Sequence, residues 1–230
     1  MCIEILMNKL FNGRNHKYLS KIIYSFEDWM KGKKWSKKSI NRFAVEDSRF
    51  GKGCYATMPI REGETICFFT GEETTWKESE IRYIKGLDRL DDPFQISETK
   101  YLELYEPYIY FNHSCNPNSG FRGGKWNDCH QRYKSRKEIT YDYSTVTWDD
   151  RWARIHGAWI MECRCEEENC RKIVGDFLTI PGPQRIEYLK LGVVPNFIIK
   201  KIKKLYRKEK NLFSINLENQ PRESDYKSRH

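Results

Sequence analysis

The sequence predicts a mainly β domain with flanking helices. From Asn41 onward, short runs of alternating apolar and polar residues are separated by glycines and other turn-forming residues, which is typical of several short strands. Apolar residues at helical spacing occur before this region and again after it. A chain of 230 residues with 14% aromatics is long enough to build one such domain around a core.

The composition limits the class of protein. The formal charge of +9 indicates either a solvated basic surface or acidic neighbours such as nucleic acid, and the sequence leaves both open. No apolar run approaches the roughly 20 residues of a membrane span. The N-terminus lacks a basic start followed by a cleavage site, so we expect no secretory signal and an intracellular, reducing compartment, the cytoplasm or the nucleus. Eight cysteines in such a compartment are mostly free thiols or metal ligands.

The first 40 residues predict a basic extension that is partly helical. Tyr18–Met30 carries apolar residues at helical spacing, which favours a helix packed on the main domain. Gly32–Lys38 reads GKKWSKK, and its lysines favour a solvated linker over a nucleic-acid contact.

Three strands are expected next. They contain Phe43 and Val45, then Cys54, Ala56 and Met58, and then Ile66 to Phe69. Gly51, Lys52 and Gly53 are expected to form a turn between the first two strands. Glycine has no side chain to block a ligand there, although Gly-x-Gly by itself favours an ordinary hairpin turn.

The middle of the chain gives weaker signals. Gly71–Leu90 predicts a short helix whose apolar side is formed by Trp76, Ile81 and Ile84, and Phe94–Glu103 returns to a strand pattern. Ser119–Lys137 has no clean apolar alternation, although a buried strand would be expected to lead into the next motif.

Three polar stretches are expected to meet in space. Tyr110–Asn118 reads YFNHSCNPN, Glu138–Ser144 reads EITYDYS, and Cys163–Cys170 reads CRCEEENC. Together they offer amide, imidazole, thiol and phenol groups. We therefore expect a cofactor site, a catalytic tyrosine and a zinc staple at their junction.

The cysteine spacing indicates a structural metal. Cys163, Cys165 and Cys170 supply three thiolates in one loop, whereas structural zinc takes four ligands, and Cys115 is the natural fourth. The alternative is a set of free cysteines on a polar loop. The isolated pair Cys129 and His130 favours a structural role over metal binding.

Two helices are predicted after the cysteines. Gly192 follows the first helix, and Pro195-Asn196 opens the second. Ile198, Ile202 and Leu205 form one face of the second helix, with lysines opposite. The polar residues from about Asn216 are expected to be frayed.

In this order, and after Gly-Lys-Gly, the motifs FNHSCNPN, EITYDY and CRCEEENC resemble those of the SET-domain protein lysine methyltransferases with a post-SET segment. The likeness covers about Asn41 to Asp176, and the compact insert and the tail are more similar to the small SET proteins of bacteria and archaea. It implies a SET β-clip-type fold, in which small sheets surround a pseudoknot and the C-terminal part threads beneath an earlier loop. It divides the chain into a basic N-terminal extension (1–40), a SET domain (41–160), a post-SET zinc segment (161–176), and C-terminal helices with a basic tail (177–230).

The resemblance also implies the cofactors, S-adenosylmethionine and one structural zinc ion. The residues expected to hold S-adenosylmethionine are Gly51, Lys52, Gly53, Asn112, His113 and Tyr143. The expected zinc ligands are Cys115, Cys163, Cys165 and Cys170. Tyr143 matches the catalytic tyrosine, and Tyr141 matches a position that sets how many methyl groups are added. A hydroxyl at Tyr141 can hold a water molecule in the channel, which favours mono- or dimethylation.

The chain departs from the family pattern at three places. Ser135-Arg136-Lys137 stands where an apolar strand and a glycine usually precede Glu138, so the strand leading to Tyr143 is expected to be distorted or shortened. Ile109-Tyr110 replaces an often basic position before the second motif, and Arg171-Lys172 replaces the usual Arg-Gly.

The leading hypothesis is a protein lysine methyltransferase acting on a histone or another lysine-containing protein. The alternatives are a catalytically degenerate SET domain that acts as a zinc-stapled binding module, and a basic protein that contacts nucleic acid through its tail.

Overall fold

The computed structural model describes residues 42–86, 94–123, 126–129, 136–148 and 160–218. The predictions for Tyr18–Met30, Gly32–Lys38 and His130 lie outside these residues.

Short antiparallel strands dominate the architecture. Within the described residues the strands are β1 Phe43–Ser48, β2 Gly51–Ala56, β3 Thr65–Phe68, β4 Gly71–Thr75, β5 Phe94–Gln95, β6 Lys100–Leu104, β7 Ser119–Arg122, β8 Trp126–Cys129, β9 Met161–Glu162 and β10 Ile173–Val174. They form four small sheets, ordered β1-β2, β3-β8-β7, β4-β6-β5 and β9-β10. The mainly β prediction with small sheets is confirmed, whereas the threading of a pseudoknot stays a prediction.

Helices are few in the described part of the chain. They are α1 Trp76–Ile84, α2 Gly182–Leu191 and α3 Asn196–Glu218, with 3-10 turns at Tyr108–Tyr110, Tyr143–Val146 and Phe177–Thr179. Gly192 ends α2 at a φ of 71°, in the left-handed region that glycine adopts without strain. The predicted boundaries of α2 and α3 at Gly192 and Pro195-Asn196 are therefore confirmed. No helix among the described residues has both the length and the apolar character that crossing a membrane requires.

The predicted apolar side of α1 is wrong. Ile81 is 41% exposed and Ile84 is 71% exposed. The helix is instead attached by hydroxyl contacts, because Ser79 Oγ lies 2.9 Å from Thr74 Oγ1 and donates to Glu103 Oε1 at 3.1 Å. The Arg82–Glu72 ion pair at 3.0 Å adds a further polar contact between the helix and β4.

Three other local predictions are corrected. Gly51–Gly53 is the start of β2, paired with β1, and the turn lies just before it; Gly51 carries the positive φ, 103°, that the turn needs. The strand expected over Phe94–Glu103 is split into β5 and β6, because Ser97 Oγ accepts from the N–H groups of Thr99 and Lys100 and closes a turn. Met58 lies beyond the end of β2 and is 41% exposed.

The irregular Ser119–Lys137 segment contains a hairpin that the apolar pattern did not indicate. β7 pairs with β8, and β8 pairs with β3, so pairing with a distant strand stabilises residues of low strand propensity. A Cβ added at Gly120 of β7 would lie 2.5 Å from Val193 Cβ. The connection between α2 and α3 therefore packs directly on this sheet.

The chain buries two principal apolar clusters. In the first, the Phe69 ring lies 4.7–6.1 Å from the rings of Phe94, Phe111, Phe121 and Tyr141. The second joins Trp148 and Phe177 to the C-terminal helices, where Ile198 and Ile202 are buried and Leu205 packs against them. The predicted apolar face of α3 is confirmed.

Candidate metal and tyrosine site

The segment leading into Tyr143 lies between β2 and residues 111–119. The Ile139 N–H donates to Cys54 O at 2.7 Å on one side, and the Tyr141 N–H donates to Asn112 O at 3.2 Å on the other. Outside the named strands, Glu138 and Tyr141 make isolated bridges to Tyr55 and His113. This pairing is short, as the Ser135-Arg136-Lys137 departure leads us to expect, and it still brings the second and third polar stretches together.

Four cysteine side chains converge beside these segments. The sulfur atoms of Cys115, Cys163, Cys165 and Cys170 all lie within 4.8 Å of one another. Cys115 Sγ and Cys163 Sγ are 3.8 Å apart. Zn–S bonds of about 2.3 Å in a tetrahedron place sulfurs about 3.8 Å apart, so this donor set fits a structural zinc ion.

The thiols differ in how easily they ionise without metal. Burial raises the pKa of Cys115 to about 11 and also raises that of Cys163. The main-chain N–H of Lys172 lowers the pKa of Cys170 to about 7. Zinc binds thiolates, so metal binding at this site must release protons from the buried pair.

The His113 ring faces the metal cluster and the tyrosine turn. Its Nδ1 accepts from the Tyr143 N–H at 3.2 Å, and its Nε2 lies 3.3 Å from Cys115 Sγ. Burial lowers the pKa of His113 to about 4, so the ring is neutral at pH 7. A neutral ring that accepts at Nδ1 carries its proton on Nε2, and Nε2–H therefore points to the Cys115 sulfur. Since the side chain is only 4% exposed, a cofactor can meet His113 only through its main chain.

A buried ion pair joins the metal loop to the tyrosine turn. Arg171, directly after Cys170, donates to both carboxylate oxygens of Asp142 at 2.6 and 2.7 Å. The two side chains are 7% and 0% exposed. Burial opposes the charge on Arg171, but the hydrogen bonds and charge of Asp142 outweigh it and raise the pKa of the guanidinium. Asp142 Oδ1 also accepts from the Ser144 N–H, which fixes the 3-10 turn that carries Tyr143.

The two tyrosines belong to a group of packed aromatic rings, Tyr141, Tyr143 and Phe121, which we call the aromatic enclosure. The ring centroids of Tyr141 and Tyr143 are 4.8 Å apart, and Tyr141 is 7% exposed and packs edge-on against Phe121. The Tyr143 hydroxyl donates to Phe111 O at 2.9 Å. This bond fixes the phenol and leaves its oxygen lone pairs as acceptors.

A second polar network lies at the start of β2. Asn112 Nδ2 donates to Lys52 O at 3.0 Å and to Glu138 Oε1 at 2.7 Å, and Ser48 Oγ donates to the same carboxylate at 3.1 Å. A Cβ at Gly53 would lie 2.4 Å from Glu138 Oε1, so a larger residue here would displace the carboxylate from its place beside Asn112. None of the ion pairs between described residues includes Glu138.

The cysteine loop is also tied to both neighbouring segments. Arg49, in the turn before β2, forms an ion pair with Glu166. Asn116 Nδ2 donates to Glu167 Oε2 at 3.2 Å. These exposed contacts close the loop over the β1–β2 turn and the Asn112 segment.

Sequence reasoning located the cysteines and tyrosines but gave no role to four residues of this site. In the sequence, Glu138 and Asp142 stand out only as acidic residues within a motif. Arg171 stands out only as one residue of a departure from the family pattern. A carboxylate between two aromatic residues and an arginine next to a metal ligand are complementary charges that could have been paired. Tyr188, whose hydroxyl donates to Asp142 Oδ2 at 3.2 Å, had no such signal.

Comparison with known proteins places this geometry in context. Residues 51–144 match the family model described as SET domain. Histone-lysine N-methyltransferase Su(var)3-9 of Drosophila melanogaster is 26% identical over 149 residues, which cover 54% of this chain and 23% of that protein. The chain thus spans less than a quarter of the length of that curated relative. A solved structure, the methyltransferase domain of human histone-lysine N-methyltransferase SETMAR, aligns with a TM-score of 0.47 and 18% identity over 61% of this chain and 60% of that chain.

Proposed function

Because residues 51–144 of this chain form a SET domain, we propose that the protein is an S-adenosylmethionine-dependent protein lysine N-methyltransferase. The observation that carries the proposal is the aromatic enclosure of Tyr141 and Tyr143, which lies beside Asn112 and is tied to the four-cysteine cluster. The thiolate cluster also supports the proposed intracellular, reducing location, because thiolate ligands require reduced cysteines.

The proposed cofactor site uses the main chain of Gly51, Lys52 and Gly53, together with Asn112, His113 and Tyr143. S-adenosylmethionine, when bound, supplies an electrophilic methyl group on a sulfonium cation. Two features fit a cationic cofactor. A Cβ added at Gly51 would have no other atom within 4 Å, so the space beside the main chain is open there. The Glu138 carboxylate lies next to Asn112.

The enclosure performs two tasks in the proposed reaction. A lysine amine has a pKa near 10.4, so its neutral form costs about 4–5 kcal/mol at pH 7 in water. Aromatic walls disfavour the ammonium by desolvation. The Tyr143 oxygen, held by its bond to Phe111 O, can then accept a hydrogen bond from the amine and orient its lone pair for transfer.

Labelled methyl transfer from S-adenosylmethionine to a panel of histones and other basic proteins tests the proposal. We expect transfer by the zinc-loaded wild type, and a reduction in kcat of about tenfold for Tyr143→Phe, because that variant loses one orienting hydrogen bond. Tyr105→Phe is the matched control, since Tyr105 is 57% exposed. Cofactor binding without transfer to any protein would instead favour the zinc-stapled binding module.

The Tyr141 hydroxyl is proposed to limit the product to mono- or dimethyl-lysine. Tyr141 is closely packed, with ring centroids 4.9 Å from Phe121 and 6.3 Å from Phe94, so a hydroxyl or its bound water occupies space that a further methyl group needs. Mass spectrometry of the product should show a higher methylation state for Tyr141→Phe than for wild type. A trimethylated product from wild type would contradict this prediction.

The proposed partner is a lysine-containing protein, and a weak contact with nucleic acid through the basic tail is a further proposal. Lys200, Lys204 and Arg207 are exposed on α3. Binding through such residues should be independent of sequence and should weaken steeply as salt concentration rises.

A further inference from the structure

We propose that helix α2, outside the SET match, is a positioning element for the metal ligand Cys115 and for Asp142, acting through Gln184 and Tyr188. The proposal rests on the proposed function only where it concerns methyl transfer. Its effect on the metal site follows from the contacts alone.

Gln184 connects the helix to the main chain of a metal ligand. Its amide Nε2 donates to Cys115 O at 2.6 Å and to the Tyr188 hydroxyl at 2.6 Å. An amide NH₂ has two hydrogens, so both are used. Gln184 and Tyr188 are four residues apart and therefore lie on the same face of α2.

The Cys115 carbonyl is held from two directions. Asn169, the residue before the ligand Cys170, donates to it at 3.0 Å, and Gln184 donates from the other element. Two donors saturate the two lone pairs of a carbonyl. The peptide that follows Cys115 is thus fixed against both the cysteine loop and α2, and its orientation sets the direction of the Cys115 side chain.

Tyr188 performs the same task for Asp142. The residue is 3% exposed, and its hydroxyl accepts from Gln184 and donates to Asp142 Oδ2 at 3.2 Å. Asp142 in turn accepts the Ser144 N–H at the turn that carries Tyr143. A continuous chain of hydrogen bonds therefore runs from the Cys115 carbonyl through α2 to the tyrosine turn.

Buried contacts hold α2 in a fixed position. Leu189, Val193 and Val194 are buried in the second apolar cluster, and Val193 packs against Gly120 of β7. The buried Arg185 donates to Leu178 O at 3.3 Å. Displacement of the α2 main chain that carries Gln184 and Tyr188 would therefore disturb these buried contacts.

The test uses the full chain loaded with zinc, and separately with Co²⁺, whose absorption reports ligand geometry. Gln184→Met keeps the side-chain length and removes both donors. We expect it to accelerate zinc transfer to a chelator about tenfold and to shift the Co²⁺ absorption bands, because partners that orient a metal ligand typically change metal affinity by 10–100-fold. Glu187→Met, on the exposed side of the same helix, should leave both measurements at the wild-type value.

Tyr188→Phe is the second variant, because it preserves volume and removes only the hydroxyl. It should fold, shift the Co²⁺ bands less than Gln184→Met, and lower kcat more than it changes KM. A folded Gln184→Met or Tyr188→Phe variant with lower thermal stability but wild-type zinc release and Co²⁺ spectrum would overturn the proposal, since a merely structural helix predicts that result. If the wild type transferred no methyl group, the proposed function would be contradicted. The zinc-release and Co²⁺ measurements alone would then decide whether α2 positions the metal ligand.

Discussion

Replacing Cys115 by serine is expected to abolish stoichiometric zinc binding and to lower the free energy of unfolding. Cys115 is 0% exposed and is the single member of the four-cysteine cluster outside the Cys163–Cys170 loop. Without it, three cysteines of one loop remain, and any metal they hold no longer joins that loop to residues 111–119. By analogy with the removal of a covalent cross-link, the loss should be about 2–5 kcal/mol.

Zinc content after dialysis, thermal unfolding and limited proteolysis measure this effect. The Cys163–Cys170 loop should be cleaved faster in Cys115→Ser than in wild type. Cys67→Ser is the control, because Cys67 is buried in β3 and lies outside the cluster. If Cys115→Ser kept one zinc ion per chain and wild-type stability, the cluster would not be the staple described here.

The same substitution should weaken cofactor binding. Cys115 Sγ is contacted by the His113 ring and by the Arg171 N–H, and the His113 Nδ1 receives the Tyr143 N–H. Loosening the cysteine therefore releases groups on both sides of the proposed cofactor site. When the zinc concentration is lowered in steps, the cofactor affinity and the zinc content per chain should fall together.

The metal ligands were predictable from the sequence because few residue types bind a structural metal ion. Three cysteines in a polar loop have little other use, and a fourth was available in a second polar motif. The aromatic enclosure was harder to predict, because the sequence indicated roles for Tyr141 and Tyr143 only through the neighbouring motifs. Their mutual packing and the Tyr143 bond to Phe111 O depend on chain crossings that no local pattern encodes.

What the sequence did not predict depends on contacts between distant segments. β7 and β8 lack alternation, and their hairpin is held in the sheet because β8 also pairs with the distant strand β3. The isoleucines of α1 have helical spacing but stay exposed, because hydroxyl contacts attach that helix. Gln184 and Tyr188 look like ordinary helix-surface residues until the fold places Cys115 and Asp142 opposite them.

One departure from the family pattern has a structural explanation. Lys172 stands where the family that the sequence resembles is expected to have glycine, and its φ of 63° is in the left-handed region. A residue with a side chain costs about 1–2 kcal/mol there. The conformation persists because Lys172 O accepts the Cys163 N–H at 2.7 Å and because Arg171 next to it is held by Asp142. The loop geometry needed for Cys163 and Cys170 is thus kept without glycine.

Replacing Arg171 by methionine should destabilise the protein by about 3–5 kcal/mol, because it leaves the Asp142 carboxylate buried without its cation. Methionine fills a similar volume, so the loss reports the unpaired charge and not a cavity. The remaining partners of Asp142, the Ser144 N–H and the Tyr188 hydroxyl, are neutral and compensate only partly. Denaturant unfolding of the zinc-loaded chain measures the free energy, with Arg164→Met as the control, since the Arg164 side chain is 69% exposed.

A second substitution separates charge from packing. Asp142→Asn in the Arg171→Met background removes the buried charge and keeps an oxygen for the Ser144 N–H, so it should recover about 1–2 kcal/mol of the loss. The sign of this recovery is the decisive point, because Asp142→Asn alone should destabilise the wild type, where it weakens the pair with Arg171. If Asp142→Asn were equally destabilising in both backgrounds, Arg171 would not be acting through the Asp142 charge. The metal loop and the tyrosine turn would then be linked through His113 or through Gln184 and Tyr188 instead.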